Sequence, residues 1–289
     1  MNRRTFAKQM ASAVTLGVGG TALLGRVPPL EGAPAQSPAG APTHMETMDD
    51  LLRVLAPSPQ DRALVMPPKP RHIAMLTYPG MFALDLVGPY AVLSGLMNTQ
   101  VHLVWKDRKP VDATGVQVLP SMTLADCPAD LDVLMVPGGG AGTMALMRDP
   151  VVLAFLSDRA SRAGFVTSVC TGALVLGAAG LLRGYRATTH WVAHDLLPSL
   201  GATPVKARVV VDRNRITAAG VSAGIDYGLA LAATLSGETY ARALQLNIEY
   251  DPQPPFHAGS PEGAGADITA AMRAMYEPVV ALGRAAARG

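Results

Sequence analysis

The stretch Gly164-Phe165-Val166-Thr167-Ser168-Val169-Cys170-Thr171-Gly172 decides the reading of this chain. A short apolar run, fit for a buried strand, turns at once into the small-residue segment Thr171 to Leu182, which has helical texture. That strand–turn–helix layout is the elbow that exposes a nucleophile in a strained turn. A thiol there faces a helix N-terminus, whose free amides and dipole favour thiolate. Cys170 also admits a plainer reading as a buried core thiol, the commoner fate of a free cysteine. Its place at the junction, rather than within a strand or helix, favours the nucleophile.

Working outward, strands alternate with helices. His72–Thr77, Val101–Trp105 and Leu131–Val136 read as strands; Leu84–Met97, Arg148–Ala163, Val192–Leu200, Val221–Leu235 and Tyr240–Glu249 read as helices. Lys109–Pro120 alternates around Thr114-Gly115 and predicts a hairpin, as do Arg208–Asp212 and Arg215–Ala218 around Asp212-Arg213-Asn214. The pattern predicts an α/β fold: a flavodoxin-like, doubly wound, largely parallel sheet sandwiched by helices. The catalytic domain is placed at residues 71–261, after a Pro-rich linker at 36–70 that holds one short amphipathic stretch, Met45–Leu55. A C-terminal helical extension at 262–289 follows, with a helix near Ala266–Arg284 that the pattern leaves unplaced.

Composition excludes several classes. No run of 18 apolar residues occurs, so a polytopic membrane protein is excluded. Two cysteines cannot build a disulfide scaffold or a Cys-rich zinc site. The formal net charge of +2 comes from the N-terminus, where Arg3, Arg4, Lys8 and Arg26 face only Glu31. The remainder is slightly acidic and carries no electrostatic footprint for nucleic acid. The opening Asn2-Arg3-Arg4-Thr5-Phe6-Ala7-Lys8, the mildly apolar Met10–Gly25 and the small-x-small Ala33-Pro34-Ala35 form an export signal over residues 1–35. It resembles a twin-arginine signal. The expected location is therefore periplasmic or secreted, with no stable membrane association once the signal is cleaved.

Three loop signals fall at strand ends, where doubly wound sheets build their sites. Beside the elbow stands Pro137-Gly138-Gly139-Gly140, whose glycines let backbone amides approach an anion; with the Thr171 amide they form a candidate oxyanion pocket. The third is Asp85, in the apolar Phe82-Ala83-Leu84-Asp85-Leu86-Val87-Gly88-Pro89. It reads either as a helix N-cap or as an acid whose proton affinity is raised by its surroundings. His190, in Thr188-Thr189-His190-Trp191, reads either as a substrate-binding residue beside the elbow or as a core histidine. Cys127, His102 and Trp105 read as packing, and His194 and Asp195 as helix surface. No metal-ligating cluster is evident.

These residues together resemble the DJ-1/PfpI superfamily, the glutamine-amidotransferase-like fold with a cysteine elbow. Asp85–Pro89, Val101–Asp107, Ala125–Pro128, Pro137–Gly139, Val166–Gly172, Ala178–Gly184, Ala187–Trp191 and Ala258–Pro261 are similar to its isonitrile hydratase branch. The likeness runs from about Arg71 to Pro261. It implies hydration of an isonitrile, a small-molecule substrate, to an N-substituted formamide, with no cofactor and in a homodimer. The family's essential cysteine falls on Cys170, its neighbouring threonine on Thr171 and its aspartate on Asp85. The chain departs from the branch at Gly140-Ala141-Gly142, at Val87 where Thr is usual, and in the export signal. The implied chemistry has a Cys170 thiolate attack the isonitrile carbon while protonated Asp85 supplies a proton. Thr171 orients water or Asp85 through its hydroxyl, and the Thr171 and Gly139 amides hold developing charge.

Two further readings stand beside it. A DJ-1-like glyoxalase or deglycase typically sets a glutamate against the cysteine, and no Glu occurs between Glu46 and Glu238. A ligand-sensing module of the AraC-associated type would append two helix-turn-helix units, yet after Glu249 the only Lys or Arg residues are Arg273, Arg284 and Arg288. The export reading makes a direct prediction. Replacing Arg3 and Arg4 together by Lys confines the protein to the cytoplasm, measured by cell fractionation against the parent chain.

Overall fold

The computed structural model describes residues 48–287. The export signal and the first part of the Pro-rich segment lie outside the described residues. Among those described, no helix is long and apolar enough to cross a membrane.

Two helices open the described chain, α1 (Met48–Leu55) and α2 (Pro59–Val65). The Met45–Leu55 stretch had announced the first; the second arises from Ser58-Pro59-Gln60-Asp61. There the Ser58 hydroxyl caps the Asp61 amide at 3.0 Å, while the Asp61 carboxylate accepts the Ser58 amide at 3.2 Å. Proline at the first helical position loses no hydrogen bond. Leu52, Ala56 and Val65 are buried, so this part of the expected linker carries core of its own.

From there the chain runs β1 (Arg71–Leu76), α3 (Ala83–Leu93), β2 (Thr99–Trp105), β3 (Val111–Asp112), β4 (Gln117–Val118), β5 (Met122–Thr123) and β6 (Val133–Val136). Next come α4 (Ala141–Leu146), α5 (Pro150–Ala160), β7 (Phe165–Val169), α6 (Gly172–Ala178), β8 (Arg186–Ala187) and β9 (Thr203–Pro204). Then follow β10 (Val209–Asp212), β11 (Arg215–Ala218), α7 (Ala223–Ser236), α8 (Glu238–Asn247), α9 (Pro261–Ala264) and α10 (Ala266–Ala287).

Seven strands form one sheet in the order β10-β11-β7-β6-β1-β2-β5, parallel throughout except for the β10–β11 pair. Every residue of β6 and β11 is buried, as a sheet covered by helices on both faces requires. The chain lays β2 on one side of β1 and returns to lay β6 on the other. The crevice at the carboxyl ends of β1 and β6 is therefore the topological switch point, where open α/β sheets bind ligands. Both expected hairpins form. Thr114 and Gly115 take positive φ in the first, and Arg213 does so in the second.

Three elements differ from expectation. The helix after the elbow stops at Ala178 because Gly180 turns left-handed, with φ +74°. Val192–Leu200 forms two 3-10 turns, Trp191–Leu196 and Pro198–Leu200, since Pro198 cannot donate to an α-helical ladder. The terminal helix, unplaced by pattern alone, packs on α4, α6 and the first 3-10 turn. There Gly283 lets the backbones close in: a Cβ on it would stand 2.9 Å from Leu196 and 3.0 Å from the Met144 sulfur.

The described residues belong to one compact unit. Arg71 pins its N-terminal part, donating to Ser236 Oγ at 3.1 Å, to the Leu235 carbonyl at 2.6 Å and to the Leu64 carbonyl. Val65→Ala should therefore lower unfolding free energy by about 2 kcal/mol, as for other truncated core side chains. Urea unfolding of the purified chain measures it, whereas a true linker residue would show no change.

Candidate active site

Cys170 begins as the last rung of the sheet. Its amide donates to the Ala218 carbonyl at 3.1 Å, and its backbone then turns to φ +56°. A side chain at positive φ costs roughly 1–2 kcal/mol in the L-amino-acid backbone. The surroundings hold it there. Gly172 presses on the end of β6 so closely that a Cβ would lie 2.2 Å from the Val136 carbonyl oxygen. Thr189 Oγ1 donates to the Cys170 carbonyl at 2.8 Å.

Gly138 is where the three expected loops meet. A Cβ on it would fall 2.5 Å from the Thr171 amide nitrogen, 2.7 Å from Cys170 Cβ and 2.8 Å from Asp85 Oδ2. Only a hydrogen fits, so the glycine admits the acid and the thiol to one place. Asp85 does not cap its helix: the N-cap of α3 is Phe82, with no side-chain cap bond. The Asp85 carboxylate instead accepts the Gly138 amide at 2.9 Å, while Oδ1 is buried with no hydrogen-bond partner.

Burial sets the protons. Desolvation raises the Asp85 carboxyl from 3.8 to about 7, against the opposing pull of the Gly138 amide and the Cys170 thiol. Desolvation, reinforced by the Asp85 charge, pushes the Cys170 thiol well above its ordinary value; the Thr171 amide pulls weakly the other way. The expectation of a resting thiolate is thus overturned. The helix N-terminus supplies its amide, but a fully buried sulfur beside a carboxyl loses more by desolvation than the dipole returns. Cys170 is 1% exposed, a neutral thiol beside an acid poised near neutrality.

The Thr171 hydroxyl has another task than expected. It donates to the Gly139 carbonyl at 2.8 Å and accepts the Gly139 amide at 3.0 Å. Thr143 touches it at 3.1 Å, and Tyr78 follows at 2.8 Å before donating to the Pro137 carbonyl at 2.9 Å. Thr171 therefore clamps the glycine loop. It also removes the Gly139 amide from the expected oxyanion pocket, just as Asp85 removes that of Gly138. The Thr171 amide, directed at the sulfur, remains.

Cys170, Thr171, Gly139 and Gly140 line a chamber of about 20 Å³, room for about one water. Its other walls are Phe82, Met144, His190, Val192 and Ala193, closed by Tyr276, Val279 and Val280 of α10. His190 thus stands beside the elbow, with its proton affinity lowered by burial, so it is neutral near pH 7. The α10 residues were not foreseen; only the apolar spacing Tyr276, Val279, Val280, Gly283 hinted at a packed face. Cys127 is buried elsewhere, and His102 stacks on His72 with centroids 5.3 Å apart, both as packing. His194 and Asp195 line an outer cavity rather than a plain helix surface. Among the described residues no cluster of His, Cys, Asp and Glu could hold a metal ion.

Comparison with known proteins identifies the family. The family model for the DJ-1/PfpI family matches residues 71–234. Isonitrile hydratase from Pseudomonas putida is 53% identical over 212 residues, covering 73% of this chain and 92% of that protein. A helix-turn-helix transcriptional regulator of Pseudomonas aeruginosa is 30% identical over 165 residues, covering 55% of this chain and 43% of the regulator. Among solved structures, a ThiJ/PfpI family protein from Pseudomonas syringae shares 45% of residues with a TM-score of 0.77, covering 86% of this chain and 98% of its own. Sheet order, cysteine elbow and sequence likeness converge: the chain belongs to the DJ-1/PfpI family.

Proposed function

We propose that this protein hydrates an isonitrile to the N-substituted formamide through covalent catalysis by Cys170. One observation carries the reading. A chain 53% identical to the Pseudomonas putida enzyme over 212 residues sets a thiol that lines a chamber of about 20 Å³ against an acid whose carboxyl burial raises to about 7. The reacting carbon of an isonitrile is terminal and bears no substituent, so it suits so small a space.

The proton positions dictate the steps. Asp85, ionised above about pH 7, takes the thiol proton as sulfur attacks the terminal carbon. The S–C bond forms, and Asp85 passes the proton to that carbon, leaving a thioimidate, R–N=CH–S–Cys170. Asp85 is again a carboxylate and deprotonates a water that adds to the same carbon. That proton goes to nitrogen, giving R–NH–CH(OH)–S–Cys170. The hydroxyl of this adduct then gives its own proton through Asp85 to sulfur as the C–S bond breaks, so the formamide leaves and the thiol is restored. The Thr171 amide, beside the sulfur, stabilises negative charge there; the Thr171 hydroxyl keeps the glycine loop in place. No cofactor takes part. The same reading has the protein exported and acting as a homodimer on a small molecule.

The glyoxalase or deglycase reading lacks its usual glutamate, Asp85 standing there instead, while likeness to a transcriptional regulator supports ligand sensing as the second reading. Assay of the purified chain on cyclohexyl isocyanide and methylglyoxal side by side separates the three: formamide is expected, and tight binding without product would make the protein a sensor. Cys170→Ala should abolish turnover, and Asp85→Asn should lower kcat by about 100- to 10,000-fold, the worth of a general acid–base group. Unchanged turnover in either variant would remove the scheme.

For pH, kcat/KM should rise through about 7 as Asp85 ionises. Stability runs the other way. The folded state holds the Asp85 proton more tightly than the unfolded chain, so its contribution is complete below about pH 4 and is lost as pH rises through about 7. The loss approaches about 4 kcal/mol at alkaline pH. Asp85→Asn cannot ionise, so its melting temperature should gain on that of the wild type between pH 5 and pH 8.

A further inference from the structure

Next to the cysteine chamber lies a second cavity, of about 840 Å³, large enough for a drug-sized molecule. Leu84, Thr189, Trp191, Ala207, Val221 and Arg273 are among its walls. Cys170 does not reach it. One residue lines both spaces: His190. Its ring contacts Trp191, which faces the outer cavity, at 5.9 Å between centroids, and Tyr276, which faces the chamber, at 5.7 Å. The imidazole is flanked by Gly220, where a Cβ would press on Cδ2 at 3.3 Å, so the outer side of the ring is left clear of any side chain at that position.

The two volumes divide a substrate of the form R–N≡C in one way. A chamber the size of one water takes the terminal carbon and excludes R, whatever R is. The large cavity takes R. The one residue common to both is His190, so a linear N≡C rod set across the two is taken past its ring, with the first carbon of R against it.

We propose that His190, braced by Tyr276, is a neck between a cavity for the N-substituent and the Cys170 chamber, and that it selects isonitriles by girth at the carbon bonded to nitrogen. Primary alkyl and flat aryl isonitriles are admitted, and tertiary alkyl isonitriles are held back. The charges around the outer cavity are mixed: Arg208 is paired with Asp226, Lys206 lies near Glu262, and Arg273 sits over the Trp191 ring. Selection there is accordingly by shape rather than by charge. The inference rests on the proposed hydration for its substrate class, while the neck itself is a property of access to one sulfur and is testable without that reaction.

The experiment uses the purified chain and the variants His190→Ala and Tyr276→Ala, the second on a surface helix in case the first does not fold. Two ratios are measured. One is kcat/KM for n-pentyl isocyanide over tert-butyl isocyanide. The other is the rate of Cys170 alkylation by iodoacetamide over N-tert-butyl iodoacetamide, read by peptide mass spectrometry; taking a ratio cancels any change in thiol acidity. In the wild type both ratios should be large, and each folded variant should shrink them by about 10-fold, the scale of discrimination by a methylene-sized contact. Unchanged alkylation ratios in the folded variants overturn the neck. So does a change confined to Tyr276→Ala with His190→Ala folded, since access would then run beneath α10. A wild type that shows the alkylation preference but makes no formamide sinks the hydration reading and leaves the neck standing.

Discussion

Asp85 and Cys170 share one place because residue 138 has no side chain. The Gly138 amide holds the carboxylate, its bare Cα leaves room for Cys170 Cβ, and the Thr171 amide closes the third side. The proposed chemistry depends on that convergence. The sheet brings the ends of β1, β6 and β7 side by side; the glycine turns proximity into contact. Any Cβ there would push apart the acid and the nucleophile, or force the elbow to open.

The same packing explains why the pair is set as a neutral thiol and a poised carboxylate rather than as a thiolate and an acid. Water is excluded, so both groups resist ionisation, and the carboxyl, held by a backbone amide, resists less. In the proposed hydration, a proton moves from sulfur to oxygen as an electrophile arrives to take up the developing charge. A buried group with a shifted proton affinity weakens the fold at the pH where it works, a usual tension between stability and activity. Here the surrounding core, the Thr171 clamp and the Tyr78–Thr143 hydroxyl chain hold the strained loops together.

The terminal helix makes the site a chamber instead of an open crevice. Its buried face, Val280, Gly283 and Ala286, lies against the domain, and Tyr276 and Val279 finish the wall facing Cys170. Residues more than 100 positions from Cys170 thus wall the chamber that it lines.

Much of this was legible in the chain itself. Apolar runs punctuated by Pro-Gly and Thr-Gly announced the strands, because burial on both faces of a parallel sheet demands them. The break between Val169 and Thr171 announced the elbow, although the thiol at that junction is buried rather than exposed. Asp85 and the glycine run were visible as candidates by type and position. What periodicity could not carry was direction and distance. Whether Asp85 capped its own helix or crossed to Gly138 was a choice between neighbours in sequence and neighbours in space, and the fold made it. The charge state of Cys170 depended on how much water remained around it, a quantity summed over many distant residues. Helix α10 had an apolar face with no visible partner, since a surface is specified by sequence but its contact is specified by where the rest of the chain goes. Local pattern determined the elements and the chemical cast; packing at long range determined who touches whom, and hence which proton sits where.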